Sequence, residues 1–579
     1  MKELFRRLTL RPLLAAQLLT ATLVVTFLNL ASPLFVIQVL NLYVTFGLDG
    51  TLLTLTVGMC IALALLLGFL MVRTKLALAV SVIPDQELAE EVYRSMTRVR
   101  SQALDHVTKT RVQELPQQLQ HVQTGYEAQN VTSVLDAPFS MLYVIAALLL
   151  SPGLAIVGLV GMGLMLGSGW LALGSSRRLL KDVRLAAAEQ RAQALGALYG
   201  VDTVRAFRGE SMLRALWGRQ VLRFTDLRMR MAENRGLFQN VSQTVIIGMS
   251  VLIYALGARE VVSGTLSMGA LIGVNILVGR AMQTISRFVM TYTQLKRADE
   301  ALAELREFTA LPVETEEGTV LREYLGRLTF KDVSLAFPGA TGPLYENLSV
   351  HLEPGSVVVV AGHNGAGKTS LMRLVTGLID PDRGEILADG VNVRQLDPAW
   401  WRKQFVYMPQ EPAFLNATMR ENILAANPEL GDERLNRIVN EADLGRFLHS
   451  RPDGLDTPVT DSGRTLSLGV RRRLALARAL ATDGRLVLLD EPTEGLDADG
   501  CRAMYALLNR LAREGRTILA ATHDPNIVKG AGLRINLNRK PVPQIEQLRP
   551  AMSGAAGSQG SPGTNAAAGP LLASAPLGR

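Results

Sequence analysis

Few folds accommodate the run Gly362-His363-Asn364-Gly365-Ala366-Gly367-Lys368-Thr369, and the rest of the chain has to fit the one it requires. Glycine, four residues, then Gly-Lys-Thr makes a phosphate-binding loop when the run joins a strand to a helix. Both flanks meet that condition. Residues 356–361 are short, apolar and β-branched, the pattern of a buried parallel strand. After the loop, Ser370-Leu371-Met372-Arg373-Leu374-Val375-Thr376-Gly377 places apolar residues at helical spacing and ends on glycine. Gly362, Gly365 and Gly367 let the backbone N–H groups of the loop, Asn364 and Ala366 among them, curl around phosphate oxygens. The N-terminus of the helix, at Ser370, adds partial positive charge. Lys368 adds a full charge toward the β- and γ-phosphates, and Thr369 is suited to ligate Mg2+. An α/β nucleotide-binding domain follows.

Such a domain is water-soluble, yet 48% of the 579 residues are hydrophobic and the excess lies in the first 300. Six membrane spans can be argued from apolar runs: 13–44, 52–72, 137–150, 154–173, 237–256 and 268–289. Arg280 and Arg287 lie in the sixth and are expected to face a wet pathway or the cytoplasmic end. The net charge of +8 raises nucleic acid as a partner, but the positive residues border apolar runs. Membrane is the better explanation, and no nucleic-acid partner is expected. The polar stretches 73–133 and 175–235 carry seven and thirteen Lys/Arg, whereas the short connections have almost none. The N-terminus and the long loops are therefore cytoplasmic.

Both long loops have helical spacing, which predicts that spans two to five continue as rods. Their turns, near Gly125 and at Phe207-Arg208-Gly209, are the expected contact points with a soluble domain. Arg6, Arg7 and Arg11 precede an apolar run too long for a cleavable signal. Cys60 and Cys501 suit neither a metal site nor a disulfide. The expected division is a membrane domain over 1–310, a linker over 311–326, an α/β domain over 327–549 and a tail over 550–579. Of residues 551–579, twenty-one are Ala, Gly, Ser or Pro, a composition that reads as disordered.

Downstream of the loop, the apolar run Arg485-Leu486-Val487-Leu488-Leu489 ends in Asp490-Glu491. Asp490 at a strand end is placed to hold Mg2+, and Glu491 to polarise a water attacking the γ-phosphate. Gln410 is a neutral side chain able to reach both metal and water. His523, after the apolar run 517–522, is able to hydrogen-bond the γ-phosphate, and Phe337 to stack on adenine. Singly, each also has a plain structural reading.

The order of these motifs is what is specific: phosphate loop, Gln410, Leu466-Ser467-Leu468-Gly469-Val470, Asp490-Glu491, Gly495-Leu496-Asp497, His523. It resembles the ATPase domain of ATP-binding-cassette (ABC) transporters. Six spans followed by one such domain resembles an exporter half-transporter: a membrane α-helical domain plus an α/β P-loop ATPase. The resemblance implies ATP and Mg2+ as cofactors and a homodimer. Each ATP would lie between one subunit's phosphate loop and Ser467 and Gly469 of the other, with Asp497 coupling the two sites. Asp136-Ala137-Pro138-Phe139 and residues 264–281 resemble the ATPases of type I secretion systems. That subfamily implies the bacterial inner membrane, with the ATPase domain in the cytoplasm. It also implies a periplasmic membrane-fusion adaptor, an outer-membrane channel, surrounding lipid and a polypeptide cargo. With no cysteine before Cys60, an exporter carrying an N-terminal cysteine peptidase is not expected.

The signature departs from the family's Leu-Ser-Gly-Gly-Gln at two places, Leu468 and Val470. A helix over 471–480 is expected to follow. Leu468 at the dimer face and the lost amide at 470 together lead us to expect slow hydrolysis. The alternative readings are a lipid or small-amphiphile exporter and a slowly hydrolysing, ATP-responsive membrane switch.

Overall fold

A computed structural model describes residues 2–47, 49–105, 107, 109–337 and 342–548. The 550–579 tail and the turn after Phe337 lie outside the described residues. The chain divides into two compact units. One takes the residues up to Arg98 together with Val107–Leu311; the other takes Val99–His106 and the chain from Pro312 onward.

The first unit is helical. It contains α1 (Lys2–Leu10), α2 (Pro12–Gln38, prolonged by a π-helical turn Val39–Tyr43), α3 (Val44–Phe46) and α4 (Asp49–Arg98). After α5 (Ser101–Asp105), which belongs to the second unit, come α6 (Lys109–Gly125), α7 (Ala128–Phe139), α8 (Met141–Leu150) and α9 (Pro152–Tyr199). Next are α10 (Val201–Ala206), α11 (Glu210–Val262) and α12 (Met268–Thr309). Among the described residues six stretches are long and apolar enough to cross a membrane, one at each run expected from sequence. Their starts are encoded locally. Ser151 accepts a hydrogen bond from the Leu154 N–H ahead of α9, with Pro152 in its first turn, and Ser267 accepts from the Ala270 N–H ahead of α12. The sixth span is the most enclosed, with 56% of its apolar window buried against none in the second. Val274, Ala281 and Met282 of α12 pack there with Ala147, Ala155 and Met165.

One expectation changes. The rod before the third span is not continuous: it breaks after Gly125 and again at Ser140. At the first break Asn130 Nδ2 donates to the carbonyls of Thr124 and Gly125, and Tyr126 is buried. The Tyr126 hydroxyl donates to Asp299 Oδ1 at 2.6 Å, and the Arg7 guanidinium sits 4.2 Å from its ring centroid. Gly125 is packed within the membrane unit, against Ala298 of α12. The stretch of the first loop that belongs to the second unit is Val99–His106. There Arg100 N–H donates to the Pro312 carbonyl, Arg100 pairs with Asp380 at 2.9 Å, and Arg373 pairs with Asp105 at 3.2 Å. Arg280, for its part, donates to the backbone and side-chain oxygens of Asn29, at 2.9 and 3.0 Å. A membrane-embedded guanidinium is thus satisfied by the first span.

The second unit is α/β. Its strands are β1 (Leu328–Leu335), β2 (Tyr345–Leu352), β3 (Val357–Ala361), β4 (Arg383–Ala388), β5 (Val391–Asn392) and β6 (Phe405–Met408). They continue as β7 (Ala417–Thr418), β8 (Pro458–Val459), β9 (Leu486–Asp490), β10 (Thr517–Ala521), β11 (Leu533–Asn536) and β12 (Gln544–Gln547). The helices are α13 (Lys368–Val375), α14 (Pro398–Arg402), α15 (Met419–Leu424), α16 (Asp432–Glu441), α17 (Gly445–His449), α18 (Leu468–Leu480), α19 (Ala498–Arg513) and α20 (Pro525–Gly530). The main sheet has the order β12-β11-β3-β10-β9-β6, with β11, β3, β10, β9 and β6 parallel.

Strands buried on both faces explain the unbroken apolar runs. Val358, Val360, Leu486, Leu488, Leu519 and Ala521 face a core shared with α13 and the antiparallel sheet β2-β1-β4-β5. Val359, Val406, Val487, Leu489, Ile518 and Ala520 face a second core with α15, α16, α18 and α19.

Candidate functional site

Register brings the motif residues together. Ala521 stands opposite both Val360 and Asp490, and Met408 opposite Leu489, so β3, β10, β9 and β6 all end at one edge of the sheet. The segments that leave that edge carry Gly362–Lys368, His523, Glu491 and Gln410. The carboxyl edge of a parallel sheet is where such folds bind ligands.

The loop turns through Gly365 (φ +81°) and Gly367 (φ +106°) into α13. Gly362 and Ala366 are buried, Asn364 and Thr369 are exposed, and Ser370 is half-buried on the helix. The buried Lys368 Nζ donates to the Gly362 carbonyl at 2.8 Å and lies 2.8 Å from His523 Nε2 and 3.2 Å from Glu491 Oε1. His523 Nε2 is 3.7 Å from that same carboxylate oxygen. Three residues named for phosphate and water chemistry thus converge: Lys368, Glu491 and His523.

Thr369 Oγ1 donates to Asp490 Oδ2 at 2.6 Å, while Asp490 Oδ1 is buried without a hydrogen-bond partner among the described residues. Burial, with a further push from Glu491, raises the Asp490 carboxyl above its usual range against the opposing Thr369 hydrogen bond and Lys368 charge. A hydroxyl beside an unspent carboxylate oxygen is half of a hard-cation site, which phosphate oxygens would complete. Among the described residues no group of three or more His, Cys, Asp or Glu side chains forms a metal site by itself.

Gln410 is turned elsewhere: its Nε2 donates to Glu494 Oε2 at 3.4 Å rather than to Asp490 or Glu491. Phe337 is 41% exposed just beyond β1. Ser467 caps α18, its hydroxyl accepting from Val470 N–H at 3.4 Å, so the helix begins three residues earlier than expected. Val470 then falls on the face that carries Leu474 and is buried in the core. Leu468 stays 43% exposed, but its side chain lies across Gly495 of its own chain, where an added Cβ would meet Leu468 Cδ2 at 2.6 Å. Asp497 caps α19, accepting from Gly500 N–H at 2.9 Å, and pairs with Arg473 at 3.0 Å. That backbone hydrogen bond, and then Arg473, hold its carboxyl below the usual range.

Sequence reasoning passed over Arg472 and Glu494. The arginine is almost fully buried and joins three segments of the site, but in the sequence it is one of three consecutive arginines with nothing to mark it as the inward one.

An α/β unit with this site, following six spans, is the engine of a membrane transporter, and the comparisons say of which kind. The family described as ABC transporter transmembrane region matches residues 16–285, and the family described as ABC transporter matches residues 345–494. The chain belongs to the ABC transporters; it is an ABC exporter ATPase that binds ATP and couples its hydrolysis to transport. The alpha-hemolysin translocation ATP-binding protein HlyB of Escherichia coli O157:H7 is 27% identical over 522 residues, 89% of this chain and 73% of that protein. The toxin RTX-I translocation ATP-binding protein of Actinobacillus pleuropneumoniae is 25% identical over 507 residues, 87% of this chain and 71% of that protein. Among solved structures, a bacterial Atm1-family ABC exporter with ATP bound shares the fold, with a TM-score of 0.80 at 19% identity. That match covers 92% of this chain and 95% of that one.

Proposed function

We propose that the protein is the homodimeric motor of a type I secretion machine, moving a polypeptide out of the cytoplasm across a bacterial inner membrane. The observation that supports this most is the extent of the likeness to toxin-translocation proteins, which runs through both units and not the ATPase alone. In this reading a periplasmic adaptor and an outer-membrane channel complete the path.

In the site, Phe337 stacks on adenine. Gly362, Asn364, Gly365, Ala366, Gly367 and Ser370 present the loop and helix N–H groups to the phosphates, and Lys368 turns from Gly362 toward the β- and γ-oxygens. Thr369 and Asp490 would hold Mg2+, with Gln410 as an outer partner once released from Glu494; the ion would supply charge neutralisation on the phosphates. Glu491 orients the attacking water and takes its proton as the oxygen–phosphorus bond forms and the bond to the β-phosphate oxygen breaks. His523 donates to a γ-oxygen. Ser467 and Gly469 of the second copy close over the nucleotide, and Asp497 of each chain couples the two sites.

A second reading, an exporter of lipid or another amphiphile, has one observation in its favour. An apolar recess of about 380 Å3 in the membrane unit is lined by Leu166, Trp170, Phe288, Val289 and Tyr292. Reconstitution with and without a co-expressed adaptor separates the two. Polypeptide export predicts an adaptor that cross-links to the membrane unit and alters ATPase rate. Stimulation by an amphiphile, with no adaptor bound, overturns it.

A further inference from the structure

We propose that Arg472 is a positioning residue for ATP hydrolysis: it fixes the backbone of Glu491 and ties that carboxylate to the signature helix α18. The inference rests on the ATPase activity of the chain and goes beyond the roles given to the motif residues.

Arg472 lies in the first turns of α18, four residues after Leu468, and its side chain is 3% exposed. A buried guanidinium has to be satisfied by geometry rather than by water. Its Nη1 donates to the Glu491 carbonyl at 2.6 Å, and its Nη2 donates to Glu494 Oε2 at 2.8 Å and to the Gln410 carbonyl at 3.3 Å. Three segments of the site therefore end on one fork. They are the residue after β9, the stretch leading to Asp497, and the segment after β6.

Glu491 needs such a hold. Its φ is +49°, the left-handed region that a side chain disfavours and that persists only where the surroundings impose it. One side of the residue is pinned by its N–H donating to the Ala521 carbonyl at 2.8 Å. Arg472 pins the other. Between these anchors the Glu491 carboxylate is aimed at Lys368 Nζ, 3.2 Å away, and toward His523.

The same fork sits in the helix that Ser467 caps, directly behind Leu468, whose side chain rests on Gly495 with Arg472 Nε close by. A shift of the capped end of α18 is transmitted through Arg472 to the Glu491 peptide. Closure at Ser467 and alignment of the carboxylate are one movement of one rigid helix.

The test is steady-state ATP hydrolysis by the full chain in lipid nanodiscs across a range of ATP concentration, with Lys368→Ala as the background. Arg472→Met keeps the bulk and removes the donors. It should lower kcat about tenfold or more while KM for ATP changes less than about twofold, because binding rests on the loop and not on Glu491. Arg472→Lys, which keeps a donor for the Glu491 carbonyl, should recover most of that loss. Glu494→Gln leaves Arg472 in place, removes its charged anchor at an exposed position, and should lower kcat severalfold with KM unchanged. A kcat for Arg472→Met within about twofold of wild type overturns the proposal, as does KM rising in step with the loss, or a lysine variant as impaired as methionine. If Arg472→Met does not fold, Glu494→Gln decides: a wild-type rate overturns the proposal. Wild-type turnover no higher than the Lys368→Ala background would instead unseat the ATPase reading itself.

Discussion

Glu491 is held by Ala521 and Arg472 and faces Lys368, so its carboxylate can be changed without dismantling the loop. Glu491→Gln keeps the shape, and Lys368, Thr369 and Asp490 still bind the nucleotide. Hydrolysis should fall about a hundredfold or more, because the group that takes the proton from water is gone. Binding persists, and ATP favours the closed form by its differential affinity. The check is radiolabelled nucleotide retained after washing; turnover at the wild-type rate would remove Glu491 from the proton-transfer role. Val470 calls for the opposite expectation. Read as a loop residue it looked like a lost amide, but it is 8% exposed and packed in the core. Val470→Gln buries an amide there, and should destabilise the ATPase unit by about 1–3 kcal/mol rather than speed the enzyme. Thermal melting of the variant against wild type measures it directly.

At the scale of elements, what sequence made legible were the local patterns. Residues 356–361 announced β3 because a parallel strand buried on both faces must be apolar throughout. The six spans announced themselves because a helix that crosses lipid has to be long and apolar. The chemistry at strand ends followed, since Asp490, Glu491 and the phosphate loop stand where strand meets turn. Illegible were choices made by tertiary contact. The start of α18 at Leu468 depends on Ser467 as cap, and a three-residue shift in that start turned Val470 inward. The close approach at Gly125 depends on a neighbour, for a Cβ at 125 would run into Ala298 Cβ of α12. Gly125→Ala should therefore push the α6–α7 turn off α12 and lower stability by about 1–3 kcal/mol. Ala298→Gly in the same chain should return much of that loss, less the cost of about 1 kcal/mol for glycine in a helix. Melting of the two single variants and the double closes the cycle, and additive losses would show that the two residues do not meet.

At the scale of the whole molecule, one chain carries both a phosphate loop and a signature end, and the second is left exposed. Ser467 and Leu468 are open to solvent at the start of α18, and the Ser467 hydroxyl is spent on its own Val470 N–H rather than on the loop. In the proposed homodimer each chain's signature end completes the other's site, with Asp497 capping α19 and paired to Arg473 between them. Two sites built from shared parts need not act alone, and the number that must be loaded is measurable. Lys368→Ala removes the charge that serves two phosphates, so a subunit carrying it cannot load its own loop. Co-expressing equal amounts of wild-type and Lys368→Ala chains gives random pairs, of which about a quarter are wholly wild type. If both loops must be loaded for turnover, activity per mole of total chain drops to about a quarter of wild type; if each loop works alone, it drops to about half. We expect the quarter, because Arg472 links each signature helix to the carboxylate of its own chain. A site that fails to close on one side then leaves the other carboxylate unaligned. Activity at half of wild type would show that the sites fire independently and would remove the coupling assigned to Asp497.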